Sequence, residues 1–254
     1  MTDLLAIGSG SLVGFTLGLI GGGGSIIATP LLLYIVGMSP HVAIGTGALA
    51  VSANAFINFA GHARAGNVRW AVAAIFAMAG IVGALIGSTL GKAFDGQRLM
   101  LLFAILMMVI GALMLRPRRI GSTATAALTL GTALRVAGIG LCVGLLSGFF
   151  GIGGGFLIVP GLIFATHMPM INAVGTSLLA VGTFGLTTAL NYAVSGLVNW
   201  SVAAEFILGG IAGGWIGLRA ACHLAAQRHT LARMFAALVF LVAFYIIWRS
   251  AGHA

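Results

Sequence analysis

A chain of 254 residues with 60% hydrophobic and only 6% charged side chains cannot clothe a water-soluble domain, because a soluble surface needs roughly a quarter of all residues charged. Twelve Lys+Arg stand against three acids, Asp3, Asp95 and Glu205, for a formal net charge of +9. The basic residues are dispersed between apolar runs rather than gathered in a patch, which excludes nucleic acid as a partner and fits topology signals in a chain whose outer solvent is lipid.

Taken in chain order, the first apolar stretch covers roughly 4–20. It lacks the basic flank and cleavage site of a removable signal and is expected to enter the membrane as a segment of the mature protein. A glycine cluster, Gly21–Gly24, separates it from a second stretch over 25–37, which is too short for a comfortable crossing. Stretches at 42–61, 68–91 and 99–115 are each long enough to span. The pattern then returns at 135–150, 155–166, 171–190, 198–221 and 231–248, with a second cluster at Gly151–Gly155.

The return is a duplication. With Gly14 set over Gly144, the chain runs in register to Gly87 over Gly217 at a constant offset of 130, and 27 of the 74 aligned positions are identical. The identities include Gly18/Gly148, Gly23/Gly153, Pro30/Pro160, Gly45/Gly175, Thr46/Thr176, Gly66/Gly196 and Trp70/Trp200, which chance likeness of two greasy stretches would not preserve. The expected fold is therefore all-α and integral to the membrane: two homologous repeats of five apolar segments each, 8–10 helices in all. Residues 1–117 form the first repeat, 118–134 a cytoplasmic linker and 135–254 the second repeat. Charge orients them. Inverted repeats put nine Lys+Arg on one side and three on the other, whereas parallel repeats split them seven to five, so the positive-inside rule favours inversion. Inversion requires an odd number of crossings per repeat. Five full crossings satisfy it, as do three crossings plus a re-entrant hairpin with a glycine-rich tip; the short second segment favours the hairpin.

Glycine clusters that open short helices at matching places in two repeats point to a midplane binding site. Gly22, Gly23, Gly24 and Ser25, with Gly153, Gly154 and Gly155, are candidate substrate contacts, since the first N–H groups of a helix and its dipole attract anions. Thr46 and Thr176, the latter followed by Ser177, offer hydroxyls near the same centre. Asn54 and Asn58 share a helix face and would turn their amides inward; helix-to-helix hydrogen bonding is the equal alternative. Glu205 is the one acid inside an apolar stretch and the candidate proton-coupling group. His41 and Arg64 are candidates for a cavity mouth. No metal site, cofactor or catalytic set is expected. Ser25 or Ser177 with His41 or His167 has no recognised nucleophile–base spacing, which argues against an intramembrane protease.

The segments GLIGGGGSIIATPLL and GFFGIGGGFLIVPGL, the pair GTGALAV and GTSLLAV, and GNVRW with GLVNW resemble the sulfite exporter TauE/SafE family of integral membrane proteins. The resemblance covers nearly the whole chain. It implies a multi-pass transporter of the bacterial inner membrane that carries a small anion, sulfite or an organosulfur or organic anion, most often outward. Arg69 has no basic counterpart, because Asn199 stands at its repeat position. A passive anion channel is the nearest alternative; a cation or proton transporter is disfavoured by the single interior carboxylate.

Overall fold

The computed structural model describes residues 2–20, 24–115, 129–151, 155–224 and 244. Among these there are nine helices and no strand: α1 Thr2–Ile20, α2 Ser25–Tyr34, α3 Pro40–Arg64, α4 Trp70–Ala93, α5 Gly96–Leu115, α6 Leu130–Phe150, α7 Gly155–Thr166, α8 Met170–Val194 and α9 Trp200–Leu224. Five of them, α3, α4, α6, α8 and α9, hold windows long and apolar enough to cross a membrane. The expected tenth segment, 231–248, apart from residue 244, and most of the 118–134 linker lie outside the described residues.

The helix limits follow the repeat. Displaced by 130, α3 becomes α8 at both ends, and α4 becomes α9 to within one residue. Even the turns agree. Gly66 and Gly196 both adopt positive φ before the paired Trp residues, and the positive φ of Gly37 is repeated at His167, where an imidazole side chain is held in a backbone region that suits glycine. The short helices are also alike, at 10 residues for α2 and 12 for α7, each with an internal proline. At 1.5 Å per residue α2 is about 15 Å long, half the hydrocarbon thickness.

Tertiary contacts exchange partners between repeats. The most extensive helix pairs are α1 with α9, α4 with α6, and α3 with α8. In the first, Gly10, Gly14 and Gly18 lie against the backbone of Phe206, Gly210 and Gly214, while Gly209, Gly213 and Gly217 lie against Ile7, Ser11 and Phe15. The order shows that α1 and α9 run in the same direction. Gly140, Gly144 and Gly148 of α6 meet Phe76, Gly80 and Ala84 of α4 in the same manner. Lipid tails are as apolar as leucine, so burying apolar area gives these helices no net drive to associate; close backbone contact over small residues supplies the dispersion energy instead. The two central helices cross differently. Ser52 Oγ donates to the Gly182 carbonyl at 2.7 Å, a contact between equivalent positions. Gly45 beside Tyr192 at one end and Gly175 beside Asn67 at the other show α3 and α8 running antiparallel.

Outside this centre, α4 exposes Met78, Val82, Leu85, Ile86 and Leu90, and α9 exposes Leu208, Trp215 and Ile216. Those faces suit contact with acyl chains. The two seams can be tested with matched pairs. Gly14→Val and Gly144→Val put side chains into occupied backbone space and are expected to cost at least about 1–3 kcal/mol. Gly8→Val and Gly138→Val, equivalent positions where an added Cβ meets nothing within 4 Å, are expected to leave stability unchanged. Thermal denaturation of the detergent-purified variants, followed by size-exclusion chromatography, reads the difference.

Candidate functional site

The two glycine-rich segments introduce α2 and α7. Gly22, Gly23, Gly153 and Gly154 lie outside the described residues. Gly24 and Ser25 are buried at the start of α2, with Gly24 seated against Thr16 and Leu17, so the chain turns back on α1. Gly155 opens α7 and is also buried. α6 ends at Gly151, which takes the left-handed conformation and returns its N–H to the Gly148 carbonyl, a termination suited to glycine. Gly151 also lies against Ile44, beside the GTG stretch of the first repeat. The tip of one repeat thus abuts the threonine motif of the other.

The threonines are engaged in the same exchange. Thr46 Oγ1 accepts from the Asn199 backbone N–H at 2.9 Å, and Thr176 Oγ1 accepts from the Arg69 backbone N–H at 3.1 Å. Asn199 and Arg69 are equivalent residues immediately before α9 and α4, whose first N–H groups lack intrahelical acceptors. The preceding glycines let the opposite loop close in: Gly45 lies under the Leu197 carbonyl and Gly175 under the Asn67 carbonyl. The paired GT and G-x-V-x-W motifs therefore form two reciprocal clasps between repeats. The sequence expectation grouped both threonines and both tips about one point, but the clasps are separate. Thr46 adjoins the Tyr192 end of α8, and Thr176 lies 16 residues away along that helix, about 24 Å at helical rise. Ser177 is buried and donates to the Val174 carbonyl of its own helix at 2.8 Å.

Asn54 and Asn58 lie on α3 facing the α1–α9 seam, with Asn54 over Gly210 and Asn58 between Gly18 and Gly214. Asn58 Nδ2 donates to the Asn54 carbonyl at 2.9 Å, while both amide atoms of Asn54 are buried without a partner. His41 and Arg64 sit at opposite ends of α3 and do not share a mouth. His41 Nε2–H donates to the Phe94 carbonyl at 3.1 Å and its ring stacks on Tyr192. Glu205 is half-buried in the second turn of α9.

Two features were missed in reading the sequence. His62, near the end of α3 and not among the candidates, is completely buried, with only the Gly18 main chain within polar reach of its ring; its i+4 spacing from Asn58 was the available signal. Lys92, read as a topology charge, donates to the Asn191 carbonyl at 3.0 Å, to Asn191 Oδ1 at 2.8 Å and to Ser195 Oγ at 2.9 Å. Asn191 Nδ2 in turn reaches Ser88 Oγ and Thr89 Oγ1, which fastens the end of α8 to α4. Among the described residues no cluster of His, Cys, Asp and Glu has the arrangement of a metal site.

The five long apolar helices and the polar groups buried between them define a multi-pass α-helical membrane protein, and the family and relatives that follow identify it as a membrane transporter, not an enzyme. The chain belongs to the sulfite exporter TauE/SafE family, whose sequence profile matches residues 6–246. A probable membrane transporter protein of Xylella fastidiosa strain Temecula1 is 57% identical over 249 residues, covering 97% of this chain and 95% of that protein. The probable membrane transporter protein YunE of Bacillus subtilis is 26% identical over 98% of both chains. MJ0441 of Methanocaldococcus jannaschii, also named a probable membrane transporter protein, is 29% identical over 76% of this chain and 71% of its own length. No solved structure matches the chain.

The clasps predict a specific ranking. Thr46→Val or Thr176→Val removes one interhelix acceptor and is expected to cost about 1 kcal/mol. The Ser variants keep the oxygen and are expected to retain most of that stability. Amide hydrogen exchange at Asn199 or Arg69 should accelerate in the corresponding Val variant only.

Proposed function

We propose that the protein is a secondary transporter of a small anion, sulfite or an organosulfur or organic anion, exporting it across the bacterial inner membrane by alternating access between two inverted repeats. The antiparallel meeting of α3 with α8 at Ser52 and Gly182 supports inversion, as does the nine-to-three distribution of basic residues. The repeats would comprise residues 1–117 and 135–254, joined by a cytoplasmic linker at 118–134. In each, the first two segments would form a re-entrant hairpin, a reading supported by the half-thickness length of α2.

One observation carries the anion assignment. Two short, buried helices start from glycine-rich segments at equivalent positions, so the positive ends of their dipoles and their first N–H groups lie inside the protein. The buried polar side chains of the described residues are hydroxyls, amides and one imidazole, a set that can replace the water of an oxyanion. Substrate would be handled by Gly22, Gly23, Gly24, Ser25, Thr46, Asn54 and Asn58 from one repeat and by Gly153, Gly154, Gly155, Thr176 and Ser177 from the other. Because the clasps are separate, these donors would act in succession along α3 and α8 around the Ser52–Gly182 centre. Glu205 would carry a coupled proton, with His41 and Arg64 at opposite mouths.

A thermal-shift panel of the detergent-purified protein with sulfite, thiosulfate, sulfoacetate, sulfate and small carboxylates tests the reading. At least one anion is expected to raise Tm in a saturable manner. The same anion, loaded inside proteoliposomes, is expected to drive counterflow of labelled anion, which a passive pore would not support. Stabilisation by cations with no response to any anion sinks the assignment.

A further inference from the structure

The repeats agree in backbone but differ at one interface. Along α3, Asn54, Asn58 and His62 recur every fourth residue and form one stripe. It is pressed against the α1–α9 pair: Asn54 over Gly210, Asn58 between Gly18 and Gly214, and the His62 ring beside the Gly18 backbone. All three side chains are buried, Asn54 and His62 completely; both amide atoms of Asn54 have no hydrogen-bond partner, and the His62 ring has only the Gly18 main chain within polar reach. Leaving a buried polar group unpaired costs about 1–3 kcal/mol. The unpaired amide of Asn54 and the sealed imidazole of His62 therefore leave this stripe poorly satisfied where it stands. Arg64 follows His62 at the same end of α3, and Arg219 is exposed on α9 one residue beyond Leu218, the side chain that covers Gly61.

The equivalent stripe on α8 is Phe184, Thr188 and Tyr192. Phe184 fills the space over Gly80 and stacks on Phe76 at 6.0 Å between ring centroids. The hydroxyls of Thr188 and Tyr192 are unpaired, but this stripe has no amide or imidazole, and Val194 and Thr89 occupy the places of Arg64 and Arg219. It is also fastened: Lys92, Asn191, Ser195, Ser88 and Thr89 bond α8 to α4, whereas their counterparts Cys222, Gly61, Ala65, Leu218 and Arg219 do not reproduce that network by residue type.

We propose that the two interfaces are functionally unequal: α3 parts from the α1–α9 pair, and its Asn54–Asn58–His62 stripe becomes the wetted wall along which the anion travels, while the α8–α4 interface stays closed as the fixed side of the transporter. This deepens the anion-transport reading and adds His62 to the residues that meet substrate. Amide and imidazole N–H groups donate to an oxyanion's oxygens, and Arg64 raises its concentration at the end of the stripe.

Thiols react with charged methanethiosulfonates only where water reaches them, so matched cysteines compare the two interfaces. In membrane vesicles of a Cys142→Ser/Cys222→Ser background, Asn58→Cys and His62→Cys are set against Thr188→Cys and Tyr192→Cys. The first pair is expected to react with the anionic ethylsulfonate reagent at least about tenfold faster than the second, and faster than with the cationic reagent. Leu218→Cys against Ser88→Cys, equivalent positions on the opposing walls, asks the same question with the stripe intact, and decides it should the stripe variants fail to fold. Equal reactivity at the matched positions, or faster labelling on the α8 side, overturns the proposal. Labelling needs no transported solute. Asymmetric labelling without any anion response leaves the route standing and removes the substrate assignment, while an anion response with symmetric labelling does the reverse.

Discussion

The architecture depends on backbone meeting backbone. In a medium that does not reward burial of apolar side chains, helices associate through what they can bring within van der Waals distance, and here the ridges of α1 and α4 are glycine where α9 and α6 approach. Because each of these seams joins one repeat to the other, neither repeat is a self-contained bundle. α1 finds its main partner in α9, and α4 finds its own in α6. The central pair α3 and α8 is thereby enclosed, which puts hydroxyls and amides in a setting where every unpaired polar atom is costly.

That enclosure explains why the repeat motifs took the residues they did. The hydroxyls of Thr46 and Thr176 hold the entrances of α9 and α4, and the glycines before them leave room for the loops carrying Asn199 and Arg69. A ligand role for either threonine must therefore operate alongside this clasp, and toward an anion it would use the hydroxyl proton, which the clasp leaves uncommitted. The arrangement also accounts for the mixture of symmetry and divergence. The glycine seams and the threonine clasps are preserved at both positions, while other side-chain contacts differ, as in Lys92 with Asn191 on one side and Gly61 with Leu218 on the other.

Much of this was legible in the sequence because its signals are local or periodic. Apolar runs, the offset of 130 and the glycine breaks set the helix limits to within a few residues, and the shortness of the second segment of each repeat was already visible at 25–37 and 155–166. The exchange of partners was not legible. Gly14 and Gly144 announce close packing but not what they pack against. The threonine motif pointed to hydroxyl chemistry at a helix start; that the start belongs to the other repeat is a tertiary fact. His62 and Lys92 were undervalued for one reason, namely that a polar residue near a helix end reads as interfacial until its neighbours are known. Burial separates them: one is sealed completely, the other has its N–H groups committed to α8.

The partner exchange also bears on how the chain is made. Helix α1 is made well before α9, and the surface it rests on begins at Trp200, nearly two hundred residues further along the chain. Through most of synthesis its glycine face has only lipid, insertion machinery or transient neighbours against it. The α1–α9 seam can therefore close only after α9 has been made, later than the α4–α6 seam, so docking of α1 trails its insertion.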